Sequence, residues 1–157
     1  VAVRVVGGVC EFVVMHKQEP RVLYLEDEDN DILLLRRAFA RAGLRCKLLT
    51  MDQASDAINY LRAAATEDGF PNELTPSLIL TDVKLVGSTG FEFIEWLQVW
   101  PQRSKMWVVV FSSSSSPEQV RKAKSLGVDD YIEKPNDFEA LVEICSSFRP
   151  HLKQFSA

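Results

Sequence analysis

Two short runs, Leu78-Ile79-Leu80 and Val108-Val109-Val110-Phe111, are apolar at every position. A strand with one wet face alternates, so unbroken aliphatic runs of this length fit strands buried on both sides, as in a parallel sheet covered by helices. Around them, from residue 21 onward, the chain alternates between short aliphatic stretches and amphipathic segments. That alternation specifies an α/β fold of strands and crossover helices in one domain. Five strands are predicted, over Arg21 to Glu26, Arg45 to Thr50, Ser77 to Asp82, Met106 to Ser112 and Asp130 to Glu133.

The intervening segments carry helix signals. Ile32, Leu35, Phe39 and Ala42 follow the spacing of one buried face, and Gly43 stands where a left-handed residue would end the helix. Asp52 is the expected cap of a second helix with Ala54, Ala57, Ile58 and Leu61 inward. Thr89 with Glu92, and Ser116 with Gln119, have capping-box spacing, and Pro117 suits the first turn. Asn136 and Glu139 suggest the same device for a fifth helix, whose core face would be Phe138, Leu141, Val142, Cys145 and Phe148. Loops are short except for Thr66 to Pro76. We divide the chain into an extension over 1–19, expected to be flexible, a domain over 20–150, and a tail over 151–157. The apolar stretch Val1 to Val14 is too short and too interrupted by Gly7, Gly8 and Glu11 to span a bilayer. It precedes Met15 and reads as an extension upstream of a start, with little role. With no further segment after the fifth helix, output on the same chain is not expected.

In an open parallel sheet, ligands meet the carboxyl ends of the strands. Those ends are polar here: Glu26-Asp27, Asp82, Ser112 and Glu133-Lys134-Pro135. Like charges about 4 Å apart repel by roughly 4 kcal/mol at an effective dielectric near 20, so such a cluster needs a cation. Lys134 supplies one. The remaining all-oxygen donors suit a hard divalent ion such as Mg2+, and the lack of Cys or His at the strand ends disfavours zinc. A formal net charge of −4 over 157 residues argues against a nucleic-acid surface. Cys10, Cys46 and Cys145 lack metal or disulfide spacing and read as reduced thiols of a cytoplasmic protein.

The ordered set of strand-end residues, Glu26-Asp27, Asp82, Ser112 and Lys134-Pro135, resembles the response-regulator receiver domain of bacterial two-component systems over residues 21 to 150. Ser112, Gly127 and Tyr131 precede Lys134 by twenty-two, seven and three positions, which is similar to the family's spacing. The long loop before the third strand and the phrase Asp82-Val83-Lys84-Leu85-Val86-Gly87 further resemble stand-alone receivers that partner bacterial phytochromes.

The resemblance implies a flavodoxin-like, doubly wound five-stranded parallel sheet of strand order 2-1-3-4-5. Asp82 would then accept a phosphoryl group from a sensor histidine kinase or phosphotransfer protein. Asp27, Asp82 and the backbone carbonyl of Lys84 would hold Mg2+, with Glu26 acting directly or through water. Lys134 and Ser112 would each meet a phosphoryl oxygen, and Ser112 and Tyr131 would form the switch, Tyr131 turning inward. A cis peptide would precede Pro135. The signal would pass to a downstream protein through the face of helix four, strand five and helix five, which the family also offers for homodimerisation. No membrane partner is expected. Val86 departs from a common proline, and Ser112 from a common threonine that keeps the hydroxyl. Lys84 and Ser114 stand at positions that tune phosphate lifetime.

Plainer readings of the same residues exist. Glu26 to Asp31 could be solvated helix-start acids, and Ser112 to Ser116 a flexible loop, since no nucleophile elbow is present and His16 and His151 lie in the terminal segments. Trp96, Trp100 and Trp107, with Phe91 and Phe93, are expected to pack around helix three. Arg121, Lys122 and Lys124 are expected on its neighbour's wet face. Two other functions share the site: a Mg2+-dependent phosphohydrolase with Asp82 as nucleophile, disfavoured by Lys84 where such enzymes carry a second acid, and a pseudo-receiver that binds without phosphorylation.

Overall fold

The computed structural model describes residues 2–6, 9–13, 19–65 and 74–152. Five parallel strands form the central sheet: β3 (Arg21–Leu25), β4 (Lys47–Met51), β5 (Leu78–Thr81), β8 (Trp107–Ser112) and β9 (Asp130–Glu133). Their order is β4-β3-β5-β8-β9. Counting these five alone gives 2-1-3-4-5, the flavodoxin-like arrangement. Each element starts or ends within two residues of its predicted limit. Two small hairpins lie outside this sheet. One pairs β1 (Ala2–Val6) with β2 (Val9–Val13), within the predicted extension, and the other pairs β6 (Lys84–Leu85) with β7 (Ser88–Thr89). Residues 14–18, 66–73 and 153–157 are outside the described residues, and with them His16 and most of the predicted Thr66–Pro76 loop.

The period-2 geometry of the strands sorts the core into two layers. Leu23, Leu25, Ile79, Val108 and Val110 face one way and pack with Ala57 and Leu61 of α2 (Ala54–Ala64) and Phe93, Ile94 and Leu97 of α3 (Gly90–Gln98). Val22, Tyr24, Leu78, Leu80, Val109 and Phe111 face the other way, against Leu35, Ala38 and Phe39 of α1 (Asp29–Arg41) and Leu141 and Cys145 of α5 (Phe138–Ser147). β5 is buried along its whole length, which explains its lack of any polar alternation. Burial raises the thiols of Cys46 and Cys145 to about 11 and about 12, so both are protonated near neutrality. The side chain of Cys10 is outside what is described.

The caps follow the sequence at two helices and depart from it at two. Thr89 accepts from the Glu92 amide, and Ser116 from the Gln119 amide at the start of α4 (Pro117–Ser125), each at 3.3 Å. Gly43 follows the last turn of α1 with φ 66, as its place predicts. Asp52 does not cap α2: the cap position is Gln53, with no side-chain hydrogen bond. Asn136 does not cap α5 either, because Asp137 reaches the Ala140 amide at 2.8 Å. Trp96 stacks on Phe93 and lies 4.7 Å from Trp100, around α3 as expected. Trp107 belongs to the opposite layer, stacked at 4.0 Å on His151. Its position at the start of β8 puts it one residue out of phase with Val108, hence on the other face. Among the described residues no helix is long and apolar enough to cross a membrane.

Candidate functional site

Strand register brings the polar ends together. Leu25 pairs with Thr81, and the Asp82 amide donates to the Leu25 carbonyl at 3.0 Å, so Glu26 and Asp82 leave the sheet side by side. Ser112 pairs with Glu133, and the Lys134 amide donates to the Ser112 carbonyl at 2.9 Å. The ladder therefore continues one residue past the strands and delivers the carboxylates, the hydroxyl and the ammonium to one edge.

Lys134 is the centre of the cluster. Its ammonium donates to Glu26 Oε2 at 2.5 Å, Asp31 Oδ2 at 2.7 Å and Asp82 Oδ2 at 2.8 Å. Three N–H groups meet three carboxylates, and all its donors are used. Burial alone would lower the lysine's proton affinity, but the bonds from Asp31, Asp82 and Glu26 raise it above the ordinary value. Glu26 is 1% exposed. Its other contacts are the Tyr24 hydroxyl at 2.8 Å and the Asp27 and Glu28 amides, each at 3.1 Å. Burial pushes the Glu26 carboxyl up, with Lys134 opposing the shift.

Asp82 is 7% exposed. Its Oδ1 accepts from the Val83 amide at 2.6 Å, the Lys84 amide at 3.3 Å and Ser112 Oγ at 2.7 Å. One carboxylate oxygen is thus set by hydroxyl and backbone, the other by the ammonium. The Lys84–Thr89 hairpin, with Gly87 at φ 71, folds beside it. Gly90 closes the arrangement from below. A Cβ there would sit 1.9 Å from the Asp82 carbonyl oxygen and 2.6 Å from Thr81 Oγ1, so only glycine lets α3 start so close. Above Asp82 lies an open cleft of about 300 Å³, lined in part by Asp27, Asp31, Lys84 and the exposed Val86.

The family model of the response regulator receiver domain matches residues 22–146. The chain belongs to that family. A relative in Methanothrix harundinacea, the probable methanogenesis regulatory protein FilR2, is 30% identical over 129 residues, covering 82% of this chain and 81% of its own. The Arabidopsis thaliana two-component response regulator ARR17 is 27% identical, over 76% of this receiver and 78% of itself. Among solved structures, response regulator RPA3017 in red light signaling of R. palustris is 27% identical with a TM-score of 0.69, covering 82% of this chain and 90% of that one. The phosphorylated cyanobacterial phytochrome response regulator RcpA is 25% identical with a TM-score of 0.71, covering 85% and 94%.

Against the expectations for a receiver, Asp82, Ser112, Lys134, Glu26 and Asp27 all reach the same edge. The Lys134–Pro135 bond is trans, not cis, since no cis peptide occurs among the described residues. Lysine is aimed instead by its backbone bond to Ser112 and its three carboxylates. Tyr131 is half-buried, and its hydroxyl donates to the Ser114 carbonyl at 2.5 Å. Burial raises its phenol, and the Asp82 charge adds to the shift. Lys84 is exposed, its side chain outside the cluster. Lys122, on the wet face of α4 as expected, lies 4.7 Å over the Phe91 ring.

For a divalent ion the donors are right in kind. Among the described residues no group of three Asp, Glu, His or Cys converges on one metal-sized point, because Glu26, Asp31 and Asp82 converge on Lys134. The Asp27 carboxylate, half-buried beside the cleft, accepts no hydrogen bond among the described residues, and it shares that cleft with Asp82 and Lys84. Hard oxygen donors around an acidic opening fit Mg2+.

Sequence reasoning missed Asp31, Tyr24 and Gly90. Asp31 reads as an ordinary first-turn acid of α1. Tyr24 could have been found: two positions before Glu26 on a strand, it must point to the same face.

Proposed function

We propose that this receiver takes a phosphoryl group on Asp82 from a phosphohistidine of a sensor histidine kinase or phosphotransfer protein, and signals through its surface. One observation carries the reading: Asp82 has one oxygen on Ser112 and the other on Lys134, at the mouth of an acidic cleft. A carboxylate oxygen attacks phosphorus, a new P–O bond forms, the P–N bond breaks, and the histidine nitrogen leaves with the electron pair. Lys134 and Ser112 then donate to phosphoryl oxygens. RcpA, which has been solved phosphorylated, supports this by likeness.

Mg2+ would be held by Asp27, Asp82 and the Lys84 carbonyl, and would screen phosphoryl charge from the carboxylates. The four hydrogen bonds on Glu26 suit it to hold Lys134 and the loop, meeting the ion through water. Ser112 and Tyr131 report the state of Asp82 to the face of α4, β9 and α5, where a downstream protein, or a second copy, would bind. We place the protein in the cytoplasm, with residues 1–19 as an appendage to the receiver of 20–150 and residues 151–157 as its tail. A phosphohydrolase is the weaker reading, because the residue two positions past Asp82 is an exposed lysine whose cation cannot act as the second acid. A pseudo-receiver would have no use for a complete set of acid, hydroxyl and lysine.

The test is incubation with acetyl phosphate and Mg2+ followed by intact-mass measurement. The expected result is a one-phosphate adduct that Asp82→Asn abolishes. No adduct under conditions that label a control receiver overturns the proposal, and rapid turnover of phosphate esters favours the hydrolase.

A further inference from the structure

Asp31 stands on the first turn of α1, a place where acids usually face water and the helix dipole. Here it reaches across to Lys134, 103 residues away, and takes one of the three ammonium donors at 2.7 Å. The other two are held by Glu26 and Asp82. Lysine has no fourth donor, so it can reach a phosphoryl oxygen only by releasing one of these carboxylates. The three differ in what release costs. The Glu26 side chain is 0% exposed, and freeing it would leave a buried charge unpaired. Asp82 is the group being modified. The Asp31 side chain is 35% exposed, and water can replace the ammonium there.

We propose that Asp31 is a positioning residue that restrains Lys134: it holds one of the three ammonium donors and so pulls back the cation that a phosphoryl group on Asp82 must draw to itself, which slows phosphoryl capture. The proposal rests on Asp82 being the acceptor. Two further facts favour Asp31 for this role. It lines the same cleft as Asp82, so it stands beside the acceptor whose partner lysine it holds. It is not needed to place Lys134, because Glu26 and the Lys134–Ser112 backbone bond remain when it is gone.

The experiment compares wild type, Asp31→Asn and Asp31→Glu for labelling by acetyl phosphate with Mg2+ and for affinity toward beryllofluoride. Asp31→Asn is expected to label faster and bind beryllofluoride more tightly, each by about three- to tenfold, the net size of one ordinary hydrogen bond, since water replaces the ammonium at the partly exposed carboxylate. Asp31→Glu, which restores the charge, should behave as wild type. Because a loss of helix-start stability would not accelerate labelling, the gain itself separates restraint from damage to the fold. In a Lys134→Met background Asp31→Asn should lose most of its effect, since the residue acts through the ammonium. Equal or slower labelling of Asp31→Asn beside a labelled wild type overturns the restraint alone. Failure to label either protein, where a control receiver labels, overturns the acceptor reading and this proposal with it. An undiminished gain in the Lys134→Met background shows simple charge repulsion and also overturns it.

Discussion

Asp82 and Lys134 are 52 residues apart in the chain and 2.8 Å apart across the carboxyl edge of the sheet. The contact exists because β5 and β9 each neighbour β8, and each leaves the sheet one residue before its functional side chain. Lys134 also holds Glu26 and Asp31, so a single ammonium offsets three carboxylates.

Replacing Lys134 with Met should therefore destabilise the protein by about 3–5 kcal/mol, the cost of leaving buried charge without its partner. Urea denaturation at neutral pH measures it. A loss below about 1 kcal/mol would mean that water, not lysine, compensates these carboxylates.

Gly90→Ala would force a methyl against the Asp82 carbonyl, with the new carbon only 1.9 Å from that oxygen unless α3 shifts. A cost of about 1–3 kcal/mol is expected, with slower labelling of Asp82. The same exchange at Gly43, where nothing lies within 4 Å, meets only the penalty of its positive φ, and Asp82 labelling there should be unchanged.

Ser112→Ala removes the hydroxyl on Asp82 Oδ1 and should cost about 1 kcal/mol, while Ser112→Thr should keep both stability and labelling. Tyr131→Phe loses the bond to the Ser114 carbonyl and should alter chemical shifts in the loop before α4 without slowing Asp82 labelling. A labelling defect in Tyr131→Phe would put the phenol in the chemistry instead of the switch.

The carboxyl of Glu26 holds its proton more tightly in the fold than its ordinary value of 4.5, chiefly through burial. Its contribution to stability is then fully present below that value and is lost as pH rises through the raised one, because the unfolded chain releases the proton first. Glu26→Gln should flatten the decline of unfolding free energy as pH rises above the ordinary value of 4.5. At the alkaline end Tyr24 and Lys134 are both raised, Tyr24 mainly by burial and Lys134 by its carboxylates against burial. Both contributions are lost as pH climbs beyond their ordinary values of 10.0 and 10.5, so Tyr24→Phe should soften alkaline unfolding.

Much of the architecture is written locally. The runs in β5 and β8 report burial on both faces, Thr89 and Ser116 mark helix starts by bonding to amides three residues on, and Gly43 ends α1 through its own φ. Each depends on neighbours within one turn or one strand, so residue type and spacing suffice. Asp52 and Asn136 have the right chemistry for caps yet do not serve as such, because adjacent residues compete for one cap position and the choice turns on where the chain enters the helix.

Residue types and order thus placed Asp82, Ser112, Lys134, Glu26 and Asp27 at the strand ends, and the family resemblance followed from that. Which oxygens share the ammonium, that Asp31 is among them, that Gly90 must lack a Cβ, and that Pro135 follows a trans bond all came from packing. These contacts join segments 52, 103 and 108 residues apart, and their geometry is set by strand register and by how closely α1 and α3 approach the sheet. No short-range pattern encodes such distances, because the free energy that fixes them is the burial of two whole layers of side chains.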